Sequence, residues 1–223
     1  MDSQPDYREA YISKEEFDKL RLDRSFVKLL NLARAVNALY FCFNAILDYK
    51  NDMTPAGLRQ HYNAFLFSSG ALYEGLIVAD TLEKHFGNLD SYRNGFGKLL
   101  EDAKTKEIRK TILERIRNSC VFHFSEGVAR KTIKTLDLPH YIFATNIGRK
   151  RAGTYYNLAD EMVINFLLGD SLSPSEEERK LLDDTQNVTN LLVAFIESAD
   201  TLIGEVLSEG DWRLRVGKDN SET

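Results

Sequence analysis

Residues 26–47 have the sequence FVKLLNLARAVNALYFCFNAIL, and this stretch decides the fold class of the chain. Its apolar side chains recur every three or four residues, which is the period of a helix that buries one face. Upstream, Ser13 and Glu16 have the spacing of a capping box, in which two side chains satisfy backbone amides at a helix start. The pattern therefore predicts one long helix over residues 13–49.

A second helix is predicted directly after the first. Thr54 is a good N-cap residue, and Pro55 follows at the first helical position, where its missing amide hydrogen costs nothing. Gly87 ends the apolar pattern. Two long helices with a short connection, over residues 13–49 and 54–86, predict an antiparallel pair in an all-α, up-and-down helical bundle.

The rest of the chain adds shorter elements to this bundle. Apolar spacing predicts helices over residues 98–121, 157–168 and 174–207. Residues 88–97 are rich in turn formers and are predicted to be a flexible connection. Near residues 141–156, two short segments rich in β-forming residues flank a basic turn. They are compatible with a small β-hairpin insertion, but both segments are too short to decide for it.

Length and composition predict one helical domain over residues 13–207, with residues 1–12 and 208–223 as flexible ends. A chain of 223 residues, 43% of them hydrophobic, can bury one substantial core. The net charge of −5 disfavours polyanion binding by the whole surface, although a local basic groove stays open. We find no signal peptide and no apolar run of roughly 18–20 residues, so a cytoplasmic protein without a membrane partner is expected.

Sequence signatures of metal and nucleotide sites are missing. The four histidines form neither HExxH nor the Glu-x-x-His pairs of di-iron bundles, and Cys-x-x-Cys does not occur. Cys42 and Cys120 lie in apolar helical patterns and are interpreted as reduced core residues. The run Asn94-Gly95-Phe96-Gly97-Lys98 lacks the spacing of a phosphate-binding loop. Neither a metal nor another cofactor is predicted.

The run Arg117-Asn118-Ser119-Cys120-Val121-Phe122-His123 combines two groups that suit phosphodiester chemistry. Arg117 carries a permanent charge on a fixed fork of donors, and His123 can exchange a proton near neutral pH. Positions six apart on an ideal helix differ by about 600°, or some 120° from the same face. The two side chains therefore meet only through a helix distortion, the long reach of Arg117, or a second subunit.

This run resembles the Arg-x(4–6)-His motif of the HEPN superfamily, including the polar residue that follows the arginine in its ribonuclease members. Ile116-Arg117-Asn118 and Phe122-His123-Phe124 are similar to the apolar and aromatic surroundings of that motif. HEPN ribonucleases are metal-independent and usually dimeric, and two motifs meet in one cleft. The resemblance therefore implies a homodimer in which Arg117 of one protomer works with the partner's His123.

The resemblance also implies a role for each residue in RNA cleavage. His123 would act as general base on the RNA 2′-hydroxyl or as general acid to the leaving oxygen. Arg117 would bind the scissile phosphate and stabilise its growing charge. Asn118 would orient His123 or donate to the phosphate, with Ser119 as a further polar group. Products would carry a 2′,3′-cyclic phosphate, and the family implies toxin–antitoxin or phage-defence systems, with an antitoxin as a further partner.

Further RNA contacts are predicted around the suggested hairpin. Its basic turn carries Arg149, Lys150 and Arg151, which can grip the RNA backbone, although a solvated turn is the commoner situation. Tyr155 and Tyr156 can stack on bases, although buried tyrosines are more usual.

Two alternatives to an RNA endonuclease stay open. One is a non-catalytic HEPN-like helical module for binding or interaction. The other is an unrelated helical regulatory or assembly protein in which Arg117 and His123 are structural. Exposure separates these alternatives, because catalysis requires both side chains to face an open cleft, whereas a core-facing His123 favours the structural role.

Overall fold

The computed structural model describes most of the helical part of the chain. It is all-α in architecture, as the apolar spacing predicts, with helices packed around one hydrophobic core. The described residues are 7–11, 13–49, 51–52, 54–121, 126–136, 142–146, 154–168, 174–209 and 213–217.

Three long helices dominate the fold and several short ones connect them. In chain order the α-helices are α1 (Lys14–Leu20), α2 (Arg24–Tyr49), α3 (Pro55–Asp80), α4 (Glu83–Phe86), α5 (Asp90–Tyr92), α6 (Lys98–Glu101), α7 (Ala103–Ile108), α8 (Glu114–Ile116), α9 (Glu126–Thr135), α10 (Asn157–Leu168) and α11 (Pro174–Glu209). Three π-helical turns continue the short helices: Arg93–Gly97, Arg109–Leu113 and Arg117–Val121. Residues 103–121 thus form one continuous helix, called the motif helix below.

The helix predicted over residues 13–49 is two helices, so that prediction is wrong in its continuity. α1 ends at Leu20 and α2 begins at Arg24. Asp23 between them accepts a hydrogen bond from the Ser25 amide at 2.8 Å, which is the N-cap geometry of a new helix start. A helix can begin anew here because the cap replaces the lost backbone hydrogen bonds.

The second predicted helix begins where expected and ends early. Oγ1 of Thr54 accepts a hydrogen bond from the Gly57 amide at 3.1 Å, which confirms the predicted N-cap of α3. The helix ends at Asp80, where Oγ1 of Thr81 donates to the Val78 carbonyl at 2.7 Å. α4 then covers the last part of the predicted span.

Residues 88–97, predicted to be a flexible connection, are largely helical. They contain α5 and the π-helical turn Arg93–Gly97. A Cβ atom at Gly95 would lie 3.0 Å from Cβ of Ser198 on α11, so this glycine lets two helices approach closely. The helix breaks at Asp102, whose carboxylate accepts a hydrogen bond from the Thr105 amide at 2.7 Å and starts the motif helix.

The core is formed where α2, α3, the motif helix and α11 meet. Cys42 and Cys120 are buried and free, as predicted. The largest fully buried side chains include Phe96, Phe195, Leu32, Leu39, Leu72, Leu76, Leu113, Ile116, Leu192 and Leu202. Leu30 and Leu47 belong to the predicted apolar stripe of α2 but are 49% and 42% exposed, because the buried line of this helix runs through Leu32 instead. Leu182 of the predicted last helix is 63% exposed.

Gly75 lies against the ring of Phe195, and this contact gives a stability prediction. A Cβ atom at Gly75 would lie 2.8 Å from Cζ of Phe195, whose buried ring packs against Phe96 at a centroid distance of 5.2 Å. Because this ring is fully buried and is held by Phe96, we expect Gly75→Ala to lower the free energy of unfolding by about 1–3 kcal/mol in urea titration.

A matched control for this prediction is Gly204 on α11. Nothing lies within 4 Å of the position that a Cβ atom would take there. Alanine favours helices over glycine by up to about 1 kcal/mol, so Gly204→Ala should raise the free energy of unfolding by that order. Similar changes in the two variants would contradict the packing explanation.

In the part of the chain that the structure describes, four short strands lie outside the helical core. In chain order they are β1 (Tyr7–Tyr11), β2 (Thr145–Asn146), β3 (Thr154–Tyr155) and β4 (Arg213–Gly217). β1 pairs antiparallel with β4, so segments of the two predicted flexible ends lie side by side. β2 pairs antiparallel with β3. Residues 147–153 lie outside the described residues, so the hairpin over 141–156 stays a prediction.

α2 is long and apolar enough to cross a membrane, by length and composition alone. In its most apolar stretch 33% of the residues are buried, and core helices of soluble proteins pass the same test. The expectation of a cytoplasmic protein without a membrane partner stays a prediction.

A hydrogen bond joins α2 to α11. The hydroxyl group of Tyr40 on α2 donates to a carboxylate oxygen of Asp200 on α11, which raises the pKa of Tyr40 to about 12.

Candidate functional site

The motif helix directs Arg117 toward α3. Nε of Arg117 donates to Oε1 of Glu74 at 2.8 Å, and Nη1 donates to Oδ1 of Asn118 at 2.8 Å. The side chain of Arg117 is 31% exposed and that of Glu74 is 45% exposed. The guanidinium group is therefore oriented from two sides and still reaches the surface.

Arg109, earlier on the motif helix, repeats this arrangement. Its Nη1 lies 2.7 Å from Oδ2 of Asp80, with side chains 28% and 44% exposed. The Cζ atoms of Arg109 and Arg117 lie 5.8 and 5.9 Å from the ring centroid of Tyr73, within the range of cation–π attraction. These five residues, Tyr73, Glu74, Asp80, Arg109 and Arg117, are called the guanidinium seam below. The seam joins the motif helix to α3 and balances two positive with two negative charges.

The residues that follow Arg117 divide between surface and core. Asn118 is exposed and Ser119 is partly buried, whereas Cys120 and Val121 are buried. Burial raises the pKa of the Cys120 thiol to about 11, and the positive charge of Arg115 opposes this shift only in part. The thiol is thus protonated at neutral pH and is not a nucleophile. The motif presents a guanidinium and an amide to solvent.

The π-helical turn Arg117–Val121 begins at the motif arginine and packs against α3. A π turn holds one residue more than an α turn, so it rotates the following residues by about 100° relative to an ideal α-helix. The phase predicted for positions 117 and 123 assumes an ideal helix, whereas residues 117–121 are π-helical and position 123 lies outside the described residues. Such turns occur frequently at functional sites, and apolar spacing does not reveal them.

Several predicted site residues fall outside the described part of the chain: His123, Arg149, Lys150 and Arg151. Of the six predicted site residues the structure therefore brings together Arg117 and Asn118, and the roles of all six stay predictions. Of the two predicted base-stacking tyrosines, Tyr156 is 58% exposed and lies edge-on to Phe143 at a centroid distance of 6.0 Å. Its exposure leaves the stacking prediction open.

Within the described residues, no group of three or more His, Cys, Asp or Glu side chains is arranged to hold a metal ion. A surface groove of about 560 Å³ lies between the α5–α6 segment and α11, with Asn94, Lys98 and Ser198 among its lining residues. None of the residues that line this groove belongs to the guanidinium seam.

Sequence reasoning missed Tyr73 and Glu74, which hold the motif arginine in place. Glu74 lies 43 positions before Arg117, and only the packing of α3 against the motif helix makes them neighbours. Comparison with family models, curated proteins and solved structures finds no match for this chain. What the site can do therefore rests on its own residues.

Proposed function

We propose that this chain is an HEPN-like, metal-independent RNA endonuclease that uses Arg117, Asn118 and His123. The observation that supports the proposal is the surface guanidinium of Arg117, which Glu74 and Asn118 orient at the start of a π-helical turn. An oriented arginine fork is the group that binds a phosphodiester with two parallel hydrogen bonds.

The proposed reaction is an internal phosphoryl transfer. His123 takes the proton of the RNA 2′-hydroxyl, and the 2′-oxygen forms a bond to phosphorus while the bond from phosphorus to the 5′-oxygen breaks. The leaving oxygen receives a proton from an acid, and the product carries a 2′,3′-cyclic phosphate. Arg117 neutralises the negative charge that grows on the phosphate oxygens. No water is consumed in this step, because the 2′-oxygen of the RNA is the nucleophile.

The proposal includes an up-and-down bundle that forms a homodimer, with the motifs of both protomers in one cleft. A dimer supplies the second motif that the resemblance to the HEPN superfamily implies. Arg149, Lys150 and Arg151 would then add charge along the RNA path. The family resemblance adds a toxin–antitoxin or phage-defence role and an antitoxin partner, and the cytoplasmic location expected from the sequence is part of the proposal.

The dimer can be tested by multi-angle light scattering. At a concentration on the order of tens of micromolar, which brackets ordinary dimer affinities, we expect twice the mass of one chain. Asn118→Glu places a charge beside the proposed interface and should favour the monomer, whereas Asn31→Glu on the exposed face of α2 should not. A monomeric wild-type protein would remove the two-motif cleft from the proposal.

A second candidate function is a non-catalytic helical module for binding or interaction. The ion pair between Arg117 and Glu74 favours it, because a carboxylate already occupies one edge of the guanidinium fork. In this case the guanidinium seam serves only to hold the motif helix on α3.

Metal-free cleavage of single-stranded RNA separates the two candidates. The assay incubates the full chain with labelled RNA in EDTA and compares wild type with His123→Ala. Cleavage that depends on His123 supports the endonuclease. Absence of cleavage by the wild type across varied RNAs favours the binding module.

A further inference from the structure

Phe67 is an exposed aromatic residue on the face of α3 that carries the partner of the motif arginine. It is 53% exposed, whereas its chain neighbours Leu66 and Ser68 are 5% and 1% exposed. Phe67 and Glu74 are seven positions apart, so on a regular helix they point within about 20° of one direction and lie about 10 Å apart along the axis. Glu74 binds Nε of Arg117, so Phe67 and this guanidinium border the same strip of surface.

The motif helix forms the other side of this strip. Its π-helical turn Arg117–Val121 packs against α3, and Asn118 in that turn is exposed. The strip therefore carries a guanidinium, an amide and an aromatic ring, separated by roughly the length of one or two nucleotides. A guanidinium binds a phosphate, and an aromatic face stacks on an unpaired base.

We propose that Phe67 stacks on the base of a nucleotide next to the phosphate that Arg117 binds. This inference rests on the proposed function and specifies its substrate as single-stranded RNA, because a base inside a duplex cannot stack on a protein side chain. It also makes binding at this position tolerant of sequence, since every base has a π face.

Binding of an RNA that cannot be cut tests the inference separately from cleavage. The probe is a fluorescent 2′-O-methylated oligouridine, in which the blocked 2′-oxygen cannot attack phosphorus. We expect Phe67→Leu to weaken binding roughly 5- to 150-fold in fluorescence anisotropy, which is the range of one lost base stack. Phe67→Trp and Phe67→Tyr should bind like wild type because they keep an aromatic face.

Two controls distinguish stacking from general loss of apolar surface. Phe41 on α2 is 76% exposed, and Phe41→Leu should bind like wild type. A matching oligomer without bases should bind wild type and Phe67→Leu with equal affinity, because the ring then has no base on which to stack.

Equal binding by wild type and Phe67→Leu would overturn the inference, as would equal losses in Phe67→Leu and Phe41→Leu. A wild-type protein that does not bind the probe would overturn it as well. Cleavage in EDTA is scored separately. Binding that depends on Phe67, without cleavage, supports the inference and contradicts the endonuclease. Cleavage by the wild type, with equal binding by wild type and Phe67→Leu, supports the endonuclease and contradicts the inference.

Discussion

His123→Ala is expected to reduce metal-free RNA cleavage by about 10²–10⁴-fold, the usual contribution of a general acid or base. In the proposed reaction His123 is the group that takes the proton of the RNA 2′-hydroxyl. Cys120 is buried, and its raised pKa keeps its thiol protonated. The measurement is the initial rate of cleavage of single-stranded RNA in EDTA, with circular dichroism to verify that the variant remains folded.

His85→Ala provides the matched control for this prediction. His85 lies on α4, is exposed, and is outside the guanidinium seam. Its removal should leave the rate of cleavage unchanged. If His123→Ala and wild type cut equally, the activity comes from another site or a contaminant, and the assignment of His123 is wrong.

The positions of most helices follow from the sequence because they depend on local chemistry. Thr54 caps α3 in the structure as its hydroxyl and the following proline predict. The motif helix buries Leu113, Ile116 and Cys120 with the predicted three- and four-residue spacing, whereas the π-helical turn Arg109–Leu113 puts five positions between Ile108 and Leu113. N-caps and apolar periodicity act within a few residues, so a sequence window contains all the information they need.

Features that depend on tertiary packing were not predicted. Gly95 suggested a flexible turn, but its missing side chain allows a close approach to Ser198 on another helix. Asp23 is a different case, because its carboxylate accepts a hydrogen bond from the Ser25 amide two positions later, a local N-cap that the predicted continuous helix leaves out. Both residues disfavour helix interiors.

Only part of the candidate site follows from the sequence. The spacing of Arg117 and His123 indicates a site on the motif helix, and Arg117 does reach the surface there. The π-helical turn and the contacts with Tyr73 and Glu74 depend on how α3 packs against that helix, so no sequence window contains them. Phe67 lies seven positions before Glu74 on α3, and so on the same face of that helix.

Arg117→Ala is expected to lower kcat/KM for RNA cleavage by about 10²–10³-fold, because the growing charge on the phosphate loses its donor. The guanidinium seam supplies a closely matched control in Arg109→Ala. Each arginine pairs with one carboxylate of α3, lies beside Tyr73 and is about equally exposed. Partly exposed pairs contribute about 0–1 kcal/mol each to stability, so both variants should unfold alike in urea while only Arg117→Ala loses activity. Arg117→Lys should rescue poorly, because lysine lacks the planar fork.

Glu74→Gln decides whether Arg117 acts on RNA or only holds the motif helix on α3. The amide can still accept the hydrogen bond from Nε of Arg117, but it no longer competes with phosphate for the positive charge. If Arg117 binds the scissile phosphate, Glu74→Gln should cut RNA at least as fast as wild type while Arg117→Ala is inactive. If the ion pair is only a structural tie, the two variants should lose activity together. Parallel losses, with Arg109→Ala still active, would therefore contradict a catalytic role for Arg117 and limit it to positioning the motif helix.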